Sequence, residues 1–325
     1  MSVAFQLRFA FLALSMLAYV SAVAGQPART VSTPTPSPSP SPGDENIKIS
    51  TDLVDIPVSV WDKDKRFIPD LKKDDFQIFE NGVPQKTEYF ADTEQPFTVV
   101  LLLDLSGSMA THIGAIKKAC LAFIDQLKPN DKIAVITFAG GIQVLNKDMT
   151  DRDGLRKAIH KLSPPGSGTL LYPAVEAVSQ RIMSKLRGRK ALIVFSDGMD
   201  TTGMQNGGRP SKASYQTSLQ EAVKSSSLVF CVEYNPDQTN WTPDFQTMQS
   251  NGEAYLEDLA KLTGGSVFGS KISESLAFVA EELRHRYSIG FYPESQAKTN
   301  EVRKLEIKVQ RDGAIVNARP YYIGR

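Results

Sequence analysis

Phe97-Thr98-Val99-Val100-Leu101-Leu102-Leu103-Asp104-Leu105-Ser106-Gly107-Ser108-Met109 decides the fold of this chain. Its first seven residues form a nearly continuous apolar run. An unbroken run suits a strand buried on both faces of a parallel sheet, where an alternating one would mark a strand with a wet face. Helical periodicity follows over about 110–127, with Ile113, Ile116, Cys120, Phe123, Ile124 and Leu127 on one stripe. Residues 133–138 read as a strand, 151–162 and 169–187 as helices, and 191–195 as a strand. Residues 213–226 read as a helix, 228–232 as a strand, and about 253–263 and 273–286 as helices. Strands and helices alternating at these lengths predict an α/β fold, a doubly wound and mostly parallel sheet with helices on both faces.

Outward from this core both flanks turn to β. Residues 47–60 are β-rich, with Leu53, Val54, Ile56, Val58 and Val60 partly alternating, and Asp62-Lys63-Asp64-Lys65 is a polar turn. Asp75-Phe76-Gln77-Ile78-Phe79 has period two, Asn81-Gly82 signals a turn, and 86–90 is expected to return as the next strand. At the other end 287–292 reads as a strand. Lys304-Leu305-Glu306-Ile307-Lys308-Val309 alternates, Asp312-Gly313 is a turn, and 315–322 returns. A lone hairpin or three-stranded sheet is marginal in water. Residues 47–95 and 287–325 are therefore expected to pack together as one discontinuous β-sandwich-like domain, with 96–286 inserted between them.

Residues 1–24 have the form of a signal peptide. Arg8 supplies the positive end, 9–24 carry no charge, and Ala22-Val23-Ala24 is a small-x-small cleavage site. The uncharged run is 16 residues long, short of the roughly 20 that span a bilayer. An uncleaved anchor is the alternative. With cleavage, the expected location is secreted or periplasmic, with no membrane span left. Thr33-Pro34-Thr35-Pro36-Ser37-Pro38-Ser39-Pro40-Ser41-Pro42 lies within 25–46, and alternating proline favours an extended linker. Cys120 and Cys231 could pair outside the cytoplasm, but the favoured reading is two separately buried thiols.

Composition narrows the function. The chain has 325 residues, 41% hydrophobic and 22% charged, close to the ordinary globular mix. Arg8 is the only charged residue before position 25, which leaves 36 of each sign beyond it. A balanced chain lacks the basic surface of a nucleic-acid binder or a polybasic membrane protein. Two cysteines and three scattered histidines exclude a four-cysteine zinc site and leave little for His-rich metal chemistry.

The carboxylates tell more. Asp104 closes one buried strand and Asp197, in Ser196-Asp197-Gly198, follows another. Both stand where parallel strands end, the edge at which open α/β sheets bind ligands. Between them comes Gly166-Ser167-Gly168-Thr169-Leu170-Leu171, whose glycines allow close approach and whose Thr169 stands at an expected helix start. Asp104, Ser106, Ser108, Thr169 and Asp197 thus offer two carboxylates and three hydroxyls. An all-oxygen set suits a hard divalent cation, Mg²⁺ first and then Mn²⁺ or Ca²⁺. Mg²⁺ takes about six oxygens, so one place stays open. A carboxylate from another protein is its natural occupant.

Asp104-x-Ser106-x-Ser108, Thr169 and Asp197 resemble the metal-ion-dependent adhesion site (MIDAS) of von Willebrand factor type A (VWA) domains, and the resemblance covers roughly 96–284. The whole layout looks like bacterial exported proteins carrying a VWA-related domain. The resemblance implies that Ser106, Ser108 and Thr169 bind the ion directly and that Asp104 and Asp197 act through water. It also implies a protein partner whose Asp or Glu completes the shell.

Two rivals stand beside this reading. A hydrolase would need a base placed on Ser106 or Ser108. His112 reads as a surface residue of the first helical turn, and His160 and His285 as solvated helix faces. There is no G-x-S-x-G and no G-x-x-x-x-G-K-[ST], so no residue is assigned as catalytic. A structural envelope protein with a stabilising ion is the second rival. Residues 235–252, with Pro236, Trp241, Pro243 and Asn251-Gly252, read as a long polar loop.

Overall fold

The computed structural model describes residues 53–324 apart from 65, 93–94, 164–167, 202–213, 235–241 and 270. The signal and linker segments, and Gly166 and Ser167, lie outside the described residues. The chain opens with β1 (Val54–Trp61), β2 (Phe76–Glu80), β3 (Val83–Gln85) and β4 (Tyr89–Ala91). A central stretch follows: β5 (Phe97–Asp104), α1 (Ile113–Gln126), β6 (Lys132–Phe138), β7 (Ile142–Val144), α2 (Arg152–His160), α3 (Leu171–Arg181) and β8 (Arg189–Ser196). It continues through α4 (Tyr215–Lys224), β9 (Leu228–Glu233), α5 (Pro243–Thr263), β10 (Val267–Phe268) and α6 (Ile272–Arg284). The last strands are β11 (Tyr287–Phe291), β12 (Val302–Val309), β13 (Ile315–Asn317) and β14 (Tyr321–Ile323).

The central sheet has the order β10-β9-β8-β5-β6-β7. Every neighbouring pair is parallel except β6 with the edge strand β7. All eight residues of β5 and all eight of β8 are buried, as the unbroken apolar run requires. Alternate residues of β5 feed two cores. Val99, Leu101 and Leu103 meet α1, α2 and α6 on one face. Val100 and Leu102 meet α3, α4 and α5 on the other. Cys120 belongs to the first core and Cys231 to the second, so the sheet stands between the two thiols; both are free and buried.

The flanks form two four-stranded antiparallel sheets, β13-β1-β11-β4 and β14-β12-β2-β3. Each mixes strands from both ends of the chain. Val54, Ile56, Val58, Phe76 and Ile78 share one core with Tyr287, Ile289, Phe291, Leu305 and Tyr322. The central stretch leaves after β4 and returns at β11, which pairs with β4 directly.

Local readings needed correction where pairing overrode pattern. The strand returning from Asn81-Gly82 is β3, immediately after the turn, while Tyr89–Ala91 crosses to the other sheet. Residues 315–322 likewise divide: β13 pairs with β1 and β14 with β12. The polar stretch 243–252 is helical, because Thr242 caps α5 and Pro243 sits at its first turn, where proline is favoured. Thr169 lies outside α3, whose cap position is Leu170. Among the described residues no helix is long and apolar enough to cross a membrane.

Candidate functional site

Register brings the two aspartates together. Leu103 of β5 stands opposite Phe195 of β8, so Asp104 and Ser196 end their strands side by side. The Ser196 hydroxyl donates to Asp104 Oδ2 at 2.8 Å, and the Gly198 amide donates to Ser196 Oγ at 3.0 Å. The Ser106 amide donates to Asp104 Oδ1 at 2.9 Å and the Met199 amide to Asp197 Oδ1 at 3.1 Å. These are short Asx-type turns, which let an aspartate leave a strand without a helix to cap.

Ser106 and Ser108 point to the same place. Their Oγ atoms are 3.1 Å apart, Ser106 buried and Ser108 exposed at the start of the 3-10 turn Gly107–His112. The site is thus closed below and open above. Thr169 is buried on the same edge. Its carbonyl accepts from the Thr201 amide at 2.8 Å, and its amide donates to Thr201 Oγ1 at 2.7 Å. The next amide, Leu170, donates to the Ala139 carbonyl beyond β6 at 3.0 Å. Asp200 accepts from the Tyr172 amide at 2.9 Å and steadies the first turn of α3.

The electrostatics are unusual for a resting core. Asp104 and Asp197 are both 0% exposed. Burial, with the nearby charge of Asp197 adding to it, pushes the Asp104 carboxyl up to about 7. Burial also raises Asp197, although the Ser108 hydroxyl and the Met199 amide favour its charged form. Asp197 Oδ2 is buried without a hydrogen-bond partner among the described residues. Buried acceptors are rarely left so. Neither aspartate forms an ion pair with a described residue. No group of three or more His, Cys, Asp or Glu side chains converges among the described residues, so any ion here must draw on hydroxyls. Two carboxylates with three hydroxyls fit a hard divalent cation, and the orphaned Oδ2 is the atom that such a cation or its water would satisfy.

Sequence reasoning missed three contributors. Ser196 bridges Asp104 to the Asp197 turn, Thr201 pins Thr169, and Gly252 of α5 lies against Gly198. Ser196 was visible beside Asp197, but only register shows which carboxylate it reaches. His112 is half-buried, its ring 3.5 Å from that of Tyr234 and its Nε2 within 2.9 Å of Thr111 Oγ1.

Comparison with known proteins agrees with this architecture. Residues 99–199 match the von Willebrand factor type A domain family. A UPF0353 protein of Mycobacterium avium is 26% identical over 241 residues, covering 68% of this chain and 70% of that one. A UPF0353 protein of Mycolicibacterium vanbaalenii is 27% identical over 205 residues, and there the chain spans only 59% of its relative. Among solved structures, proximal thread matrix protein 1 of the mussel byssus, described with a zinc-occupied MIDAS motif, superposes with a TM-score of 0.48. It is 16% identical, over 64% of this chain and 50% of that one. By its matched core and its parallel sheet with helices on both faces, the chain carries a von Willebrand factor type A domain.

Proposed function

We propose that this chain is a divalent-cation-dependent recognition module that binds a protein partner through an acidic side chain. Ser106, Ser108 and Thr169 would hold the ion, with Asp104 and Asp197 acting through water. Mg²⁺ is the first candidate, then Mn²⁺ or Ca²⁺. The observation that carries the reading is the pair of fully buried carboxylates, without a basic partner among the described residues, beside hydroxyls that reach the surface at Ser108. Such an arrangement is costly empty and is relieved by a cation. Two carboxylates only just neutralise a 2+ ion, and neutral hydroxyls leave it electrophilic toward a third carboxylate. The module works outside the cytoplasm, on the reading of residues 1–24 as an export signal.

The reading treats the chain as a binder and not as a hydrolase. His112, the histidine closest in sequence to Ser106 and Ser108, is engaged with Thr111 and Tyr234. An array of short peptides, probed with and without Mg²⁺, tests the partner chemistry. Binding should need both Mg²⁺ and an Asp or Glu in the peptide, and should vanish in Asp104→Ala. Equal binding in EDTA, or indifference to acidic residues, would contradict it.

A further inference from the structure

Gly252 stands near the middle of α5, a helix of 21 residues. Glycine there is a poor choice on helix grounds alone, costing about 1 kcal/mol against alanine. Packing explains it. A Cβ on Gly252 would stand 2.5 Å from the Gly198 carbonyl carbon and 2.6 Å from its oxygen. The reverse also holds: a Cβ on Gly198 would stand 2.6 Å from the Gly252 carbonyl carbon and 2.7 Å from its oxygen. Gly198 has φ +82°, a conformation that glycine adopts at no cost. On both sides the obstacle is backbone, so no side chain can swing away.

Gly198 follows Asp197 directly and its amide holds Ser196 Oγ, which in turn holds Asp104 Oδ2. The contact with α5 therefore bears on both carboxylates. The helix cannot easily back off. Tyr255, Leu256, Leu259 and Ala260 fix it in the core, the Tyr255 hydroxyl donates to Ser218 Oγ at 2.9 Å, and Tyr215 donates to Asp258 at 2.8 Å. An atom forced into the contact must push the turn 197–199 instead.

We propose that Gly252 is a positioning residue for the Asp197 carboxylate, setting through its bare backbone contact with Gly198 the ion affinity of the site. This rests on the metal reading above. Gly252→Ala lengthens the contact, rotates the Asp197 turn and weakens the ion, while the aspartates and hydroxyls themselves are untouched. The expected loss is about 10–100-fold, the range for residues that orient ligands rather than supply them.

The matched control lies at the end of the same helix. A Cβ on Gly264, whose φ is positive where that of Gly252 is not, would meet Arg319 N at 2.6 Å, so Gly264→Ala brings at least as much strain at the helix end without touching Gly198. Gly114→Ala, on α1 with open space around it, is a neutral reference. Titrating Mn²⁺ into the full chain by calorimetry, at a temperature where circular dichroism shows each variant folded, separates the cases. Gly252→Ala should lose affinity while Gly264→Ala and Gly114→Ala bind like the parent. Parental affinity in Gly252→Ala, or an equal loss in Gly264→Ala, would overturn the proposal while leaving the metal site standing. A parent that binds no Mn²⁺ would remove the metal reading and this proposal with it. Hydrogen exchange on the parent gives a second test that needs no variant. Mn²⁺ should slow exchange at Gly198 and in α5 around Gly252, and leave Gly264 and Gly265 unchanged; no slowing at Gly198 would count against the proposal.

Discussion

Two regions of this molecule bury carboxylates and treat them in opposite ways. In the seam between α6 and the flanking strands, Glu282 meets Arg286 at 2.6 Å and the Ser59 hydroxyl at 3.0 Å. Inside the flanking sheets, Glu80 meets Arg303 and the Tyr322 hydroxyl. Each buried acid there has a guanidinium. At the end of β5 and β8, Asp104 and Asp197 lie near each other, and among the described residues their hydrogen bonds come only from hydroxyls and amides. All four carboxylates are buried, but a basic partner is present in one place and, among the described residues, missing in the other. A buried charge without its partner costs several kcal/mol. The sheet edge keeps that cost, which is what a site waiting for an outside cation would do.

The comparison breaks most visibly where compensation is internal. Replacing Arg286 by Met strands Glu282, and the fold should lose about 3–5 kcal/mol in chemical denaturation, while ion affinity of the surviving folded protein stays unchanged. A smaller effect is expected where the charges belong to the ion. Ser106→Ala with Ser108→Ala removes two proposed ligands whose hydroxyls otherwise bond each other and the Asp104 and Asp197 carboxylates. Ion affinity by calorimetry should fall at least about tenfold, with only a modest loss of stability in EDTA, on the order of one hydrogen bond for each serine. A large loss of stability in EDTA would make these hydroxyls structural.

The pH dependence sharpens the same contrast. Asp104 is held protonated up to about pH 7, against 3.8 for a free carboxyl, so the ion-free fold takes up a proton that the unfolded chain has released. Stability in EDTA should therefore fall as pH rises from about 4 to about 7 and then level off. Asp197, raised in the same direction by burial, adds to the trend. The metal-induced rise in unfolding midpoint should be larger at pH 8 than at pH 5, because protons compete with the ion. The smallest effect belongs to an exposed pair. Lys271 and Glu274, 3.3 Å apart with both side chains largely in water, should be replaceable by Ala within error of the melting curve.

How far the sequence carries depends on whether a feature is local. The run 97–103 announces a strand buried on both sides, and its alternate residues do face two helical layers. The placement of Asp104, Ser106, Ser108 and Asp197 on one sheet edge was legible because each lies at or just beyond the end of a strand whose direction the parallel sheet determines. The flanking strands were legible as strands but not in their pairing. Nothing in 315–322 says that its first half joins β1, more than two hundred residues away, while its second half turns back on nearby β12. Ser196 was hidden in the same way. Its role comes from the register of β5 on β8, not from its neighbours in sequence. Residues 243–252 misled because a polar stretch holding a glycine resembles a loop. The helix tolerates that glycine since α5 must touch the backbone at Gly198.

One measurement tests the account most directly: thermal unfolding of the parent and Asp104→Ala in EDTA, Mg²⁺, Mn²⁺ and Ca²⁺. An ion that binds only the folded chain, at a hundredfold over its dissociation constant, adds about 2.7 kcal/mol. The account predicts a rise in midpoint for the parent with at least one of these ions. It predicts no rise for Asp104→Ala, whose midpoint in EDTA should equal or exceed that of the parent. The same midpoint for the parent in EDTA and in all three ions, or an equal rise in both proteins, would contradict it.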